Sequence, residues 1–103
     1  MNDSPTRLEL TDLDGRLGLR ATGELDSHTA PDLEARLGQL PREGDITLDL
    51  ADLTFIDSSG LRVLVAQHQR LEDAGHALIL AAPSAPVARL IEITGLTEHL
   101  RVE

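Results

Sequence analysis

The apolar residues of this chain switch spacing repeatedly between period two and period three-to-four, and that switching constrains the fold more than any other feature. Leu8 and Leu10 alternate with polar neighbours, and after Asp14-Gly15 so do Leu17, Leu19 and Ala21. This is the pattern of an antiparallel strand pair with one wet face, ended by Gly23. Ser27 or Thr29 then offers a cap, Pro31 suits a first helical turn, and Leu33, Leu37 and Leu40 lie on one helical stripe stopped by Pro41. Ile46, Leu48 and Leu50 alternate again and lead through Phe55-Ile56 into Asp57-Ser58-Ser59-Gly60.

From Leu61 the stripe Leu61, Leu64, Val65, His68, Leu71 predicts the strongest helix of the chain, with Gly75 as its left-handed stop. Ala77 to Ala82 is a short, continuous apolar run typical of a strand covered on both faces. Val87, Leu90, Ile91 and Thr94 form a last stripe closed by Gly95, and His99 to Val102 supplies a final edge strand. The order predicts one α/β domain: a mixed sheet of four to five strands, the later ones parallel, with helices packed on one face.

With 103 residues, no cysteine and Phe55 as the only aromatic ring, the core must be aliphatic. Disulfides, thiolate metal sites and cysteine nucleophiles are excluded. Eighteen acidic against nine basic side chains give a formal charge of −9. That charge repels phosphate backbones and anionic lipid, and a chain without stacking faces is a poor single-strand binder, so direct nucleic-acid binding is not expected. A basic protein partner fits better. No apolar run reaches the roughly 18 residues of a membrane span, and polar residues 1–7 do not resemble a secretory signal. The expected setting is the cytoplasm, without membrane insertion, with residues 1–7 a flexible N-terminus of a single domain spanning 1–103.

The chemistry concentrates at Asp57-Ser58-Ser59-Gly60, between a buried strand and the best helix. On position alone this is a helix cap. A cap needs only one polar side chain, however, which leaves hydroxyl capacity free. As a nucleophile, Ser58 or Ser59 gets little support: the flanks do not form a Gly-x-Ser-x-Gly elbow, and one small sheet leaves little material for a substrate pocket. His28, His68, His76 and His99 lack metal-ligand spacing, and no phosphate-cradling glycine motif occurs. Neither an enzyme nor a cofactor is expected.

Two segments resemble the STAS domain, and within it the bacterial anti-sigma factor antagonists. Gly23-Glu24-Leu25-Asp26, followed by Thr29, looks like the family's segment entering its first helix. Leu53-Thr54-Phe55-Ile56-Asp57-Ser58-Ser59-Gly60-Leu61 looks like its central motif. Val87-Ala88-Arg89-Leu90 and Thr94-Gly95-Leu96 agree in register, so the similarity runs from about Leu17 to Val102.

The resemblance implies partner switching: the unmodified protein binds an anti-sigma factor that is also a serine kinase and so frees the sigma factor. Phosphorylation of the serine after the motif aspartate, here Ser58, reverses this, and a serine phosphatase restores the hydroxyl. By the same resemblance Glu24, Asp26, Asp57, Ser58, Ser59, Gly60 and Arg62 belong to the partner-facing surface. Arg62 departs from the small residue common there. The chain also stops at Glu103, short of the terminal helix of longer members, which leaves one sheet or core edge less covered and makes a dimer, or a partner packing there, conceivable. A monomer or weak homodimer is expected. Two other roles use the same fold: a subunit of a stress-sensing scaffold, and a subunit of a lipid-transport ABC complex.

Overall fold

Residues 7–41, 43–98 and 100–103 are described by a computed structural model. The first two strands, β1 (Leu8–Asp12) and β2 (Gly18–Leu25), pair antiparallel across the Asp14-Gly15 turn. Helix α1 (Ala30–Gln39) follows, then β3 (Ile46–Asp49), β4 (Leu53–Ile56), α2 (Ser58–Asp73), β5 (Leu78–Ala81), α3 (Ala85–Ile93), a 3-10 turn at Leu96–Glu98 and β6 (Arg101–Val102). The sheet runs β1-β2-β3-β5-β6, with β4 also on β2 and every pairing after the first parallel.

The sheet therefore has six strand segments, because the stretch from Ile46 to Ile56 breaks in two. Asp49 accepts a hydrogen bond from the Ala51 N–H at 3.0 Å, and the Leu53 N–H turns back to Leu50 O at 3.3 Å. A side chain that bonds the backbone two residues on competes with the ladder in this way. The antiparallel pair ends at Gly23, opposite Leu8, as expected, while β2 itself runs on to Leu25. At Gly23, φ is +112° and a Cβ would lie 2.2 Å from Arg7 O, so only glycine fits. The register shifts there, and the last residues of β2 leave β3 to pair with β4.

Period-two alternation puts Leu19, Ala21, Leu48 and Leu80 on one face of the sheet, where they join Leu33, Leu37, Leu64, Leu71, Val87 and Ile91 of the three helices in a single core cluster. The opposite face carries Arg20, Thr47 and Asp49, with Arg20 paired to Asp49 at 3.3 Å. Helices thus pack on one face, as the stripes predict. The core is wholly aliphatic, since Phe55 is 46% exposed and outside it. Gly75, at φ +84°, follows α2 as its stop. Within the expected last strand, Arg101–Val102 pairs with β5, while His99 lies outside the described residues, as do residues 1–6 of the expected N-terminal tail.

Candidate functional site

Strands β2 and β4 end side by side, and the backbone N–H of Asp57 donates to Leu25 O at 3.2 Å. The turn after β2, carrying Asp26, is thereby tied to the start of α2. At that helix start Asp57 is extended, and its Oδ1 accepts from the backbone N–H groups of Ser59 at 2.9 Å and Gly60 at 3.2 Å. Asp57 is the cap, so capping leaves both serine hydroxyls unused. Ser58 is exposed and Ser59 half-buried, and neither hydroxyl bonds another side chain among the described residues. The Ser58 hydroxyl is open to an incoming protein.

Gly60 is buried because α2 lies almost in contact with the sheet. A Cβ there would meet Leu25 Cγ at 2.6 Å and Ile56 Cγ1 at 3.1 Å. Its role is to bring the helix start down onto β2 and β4, and the surface expected of it is the surface its absent side chain permits.

Asp26, which the sequence resemblance puts on the partner-facing surface, is buried, and both its oxygens are engaged within the chain. Oδ1 accepts from the backbone N–H groups of His28 at 2.9 Å and Thr29 at 3.1 Å, and Oδ2 pairs with the Arg7 guanidinium. The Thr29 hydroxyl donates to Glu24 O at 2.8 Å and accepts from Asp26 N–H at 2.9 Å. Thr29 occupies the position before α1 but does not cap it; its hydroxyl locks the turn instead. Burial pushes the Asp26 carboxyl up, but the backbone donors of Thr29 and His28, the Arg7 charge and the Thr29 hydroxyl together outweigh it and hold the group below its ordinary value. Glu24 is half-buried and pairs with the same Arg7 at 3.1 Å.

Arg62 is exposed on α2, in a groove of about 340 Å³ between the first turns of α1 and α2, with Ser27, Glu34 and Ser59. On the other side of β4, the exposed Phe55 ring lines an apolar groove of about 420 Å³ with Pro86, Arg89 and Ile93. Among the described residues no group of three acidic or histidine side chains is gathered to hold a metal. Among the described residues no helix is long and apolar enough to cross a membrane.

The free serine beside a capping aspartate, tied to the turn after the second strand, occupies the segments that match a known family model. Residues 7–103 match the model of the STAS domain. The chain belongs to the STAS domain family. An anti-sigma-B factor antagonist of Staphylococcus aureus is 33% identical to this STAS chain over 97 residues, covering 92% of this chain and 90% of that protein. A solved anti-sigma factor antagonist from Mycobacterium paratuberculosis superposes with a TM-score of 0.74 at 28% identity, over 92% of this chain and 82% of that one. The Bacillus cell fate determinant SpoIIAA, solved in its phosphorylated form, has the same STAS fold, with a TM-score of 0.66 at 23% identity over 93% of this chain and 90% of the other.

Sequence reasoning missed the involvement of Arg7 in this STAS site, and the burial of Asp26. The Asp-x-x-Thr spacing of Asp26 and Thr29 was the available signal, since a short polar side chain three residues before another readily folds a turn around itself.

Proposed function

We propose that this chain is an anti-sigma factor antagonist whose unmodified Ser58 surface binds an anti-sigma factor serine kinase, and that phosphorylation of Ser58 ends the binding. The observation that carries the reading is the exposed, uncommitted Ser58 hydroxyl on a helix start already capped by Asp57. The similarity to named antagonists supplies the class of partner.

In the phosphoryl transfer, Ser58 Oγ bonds to the γ-phosphorus of ATP while the bond from that phosphorus to the bridging oxygen breaks. ADP leaves, and the hydroxyl proton passes to a base on the kinase. A serine phosphatase returns the hydroxyl by hydrolysis. The antagonist itself is a binding protein of the cytoplasm, with no reaction of its own.

The switch works at the interface. A hydroxyl is small and hydrogen-bonds across a contact, whereas a phosphate adds about −1.5 to −2 charge and bulk that must be desolvated in the same space. A loss of about 2.7 kcal/mol weakens affinity a hundredfold. Because the chain carries a net −9, association with a basic partner face is faster at low salt. In this arrangement Glu24, Ser59 and Arg62 flank Ser58 on the docking face, while Asp26, Asp57 and Gly60 set its shape from within.

The test combines mass spectrometry of the protein treated with its kinase and ATP with calorimetry on the partner. One phosphate on Ser58 is expected, with binding kept in Ser58→Ala and lost in the phosphoprotein and, more weakly, in Ser58→Asp. Phosphate placed on Ser59, or equal affinities for all forms, would overturn the proposal.

A further inference from the structure

Two arginines lie in the segments around the site, Arg7 paired to the turn after β2 and Arg62 on α2, and they differ in one respect. Arg7 is committed, paired with both Glu24 and Asp26. Arg62 is exposed and makes neither an ion pair nor a hydrogen bond with another described residue, although Glu34 lines the same groove. It sits four residues after Ser58 on the unbroken helix α2. Residues at that spacing share a face with Cβ atoms about 5–6 Å apart, and the order with the anion first and the cation second is the favourable one.

We infer that Arg62 is the internal counter-ion of phosphorylated Ser58. The planar guanidinium matches two phosphate oxygens at once, which a single ammonium does not. Phosphorylation would then change the docking face twice over: it adds the phosphate, and it draws the guanidinium out of the groove shared with Ser27, Glu34 and Ser59. A partner that reaches Arg62 with an acidic group in the unmodified complex loses that contact as well as meeting the new charge. Arg62 also offsets the repulsion between the phosphate and the neighbouring carboxylate of Asp57, which is committed to the helix cap.

This inference rests on Ser58 as the modified residue, but its test is separable from that reading. Phosphoserine can be installed at position 58 during translation, without any kinase, in the full chain and in its Arg62→Gln and Arg62→Lys variants. Phosphorus NMR then reads the second ionisation of the phosphate, ordinarily near pH 6. A nearby cation favours the dianion, so the wild-type value is expected about 0.3 unit or more below that of Arg62→Gln, with Arg62→Lys keeping most of the shift. Salt near 1 M should erase the difference, because the pair is exposed. Equal values in the wild-type and Arg62→Gln proteins, or a difference that survives high salt, would overturn the assignment. Failure of a kinase to modify Ser58 would count against the proposed function and leave this result standing.

Discussion

Gly60 lies against Leu25 so closely that a methyl group at position 60 would sit 2.6 Å from Leu25 Cγ and 2.8 Å from its Cδ2. Helix propensity favours alanine over glycine by about 1 kcal/mol, but overpacking a buried contact costs about 1–3 kcal/mol. Gly60→Ala is therefore expected to lower stability by up to about 2 kcal/mol in urea denaturation. In the double variant with Leu25→Ala the clash is relieved, and its loss should fall short of the sum of the two single-variant losses by at least about 0.5 kcal/mol. Strict additivity would place the Gly60 effect elsewhere.

Asp57 caps α2 through one oxygen that receives two backbone N–H groups. Asp57→Ala should lose about 1 kcal/mol of stability, while Asp57→Asn, which keeps an acceptor oxygen at the same place, should lose a smaller amount. Equal losses in the two variants, measured by thermal or urea unfolding, would count against the capping assignment.

Acid stability carries a signature of Asp26. Its folded-state pKa is lowered, so the unfolded chain binds the proton more tightly than the native one. The resulting stabilisation is fully present above the ordinary carboxylate value of 3.8 and is lost as pH falls through the lower folded value. Asp26→Asn should lower stability near neutral pH and flatten the acid limb of the stability curve below about pH 4. Arg7→Ala should act in the same direction with a smaller amplitude. An Asp26→Asn curve parallel to wild type across that window would contradict the depressed pKa.

Phosphorylated Ser58 should leave the domain folded. A dianion at the start of α2 gains about 0.3–1 kcal/mol from the helix dipole, and one pair of unit charges at about 5 Å with Asp57 repels by roughly 3 kcal/mol before screening. The net strain is smaller than the 5–15 kcal/mol typical of a domain. Thermal melts of the phosphoprotein are expected to stay cooperative, with a midpoint lowered by a few degrees. Loss of cooperativity would mean that the switch operates by unfolding.

Much of the architecture was legible because local pattern and tertiary need coincide. Leu64 and Leu71 face the core as their spacing predicts, and Gly75 stops α2 in the left-handed conformation. The division of 46–56 was hidden because Asp49 reads equally as an outward strand residue and as a side chain that turns the backbone toward Ala51. Ser58 was legible as an unusual hydroxyl, since Asp57 beside it suffices as a cap. Asp26 was not, because its burial depends on Arg7, 19 residues away, and on a turn whose closure by Thr29 is tertiary rather than periodic. Phe55, read as part of an apolar pair, is half exposed because its neighbour Ile56 takes the core-facing position of β4.

The hydrogen bond from Asp57 N–H to Leu25 O joins segments more than thirty residues apart in the chain. The turn after β2 and the serine after β4 are thus two ends of one piece of sheet, fixed in mutual position before any partner arrives. Docking then immobilises little that was free, so the association is expected to be limited by encounter and orientation rather than by ordering of loops. A surface held this stiffly has little capacity to signal its state by changing shape at a distance; under the proposed function, what a partner distinguishes is the chemistry presented at Ser58 and the few side chains within its reach.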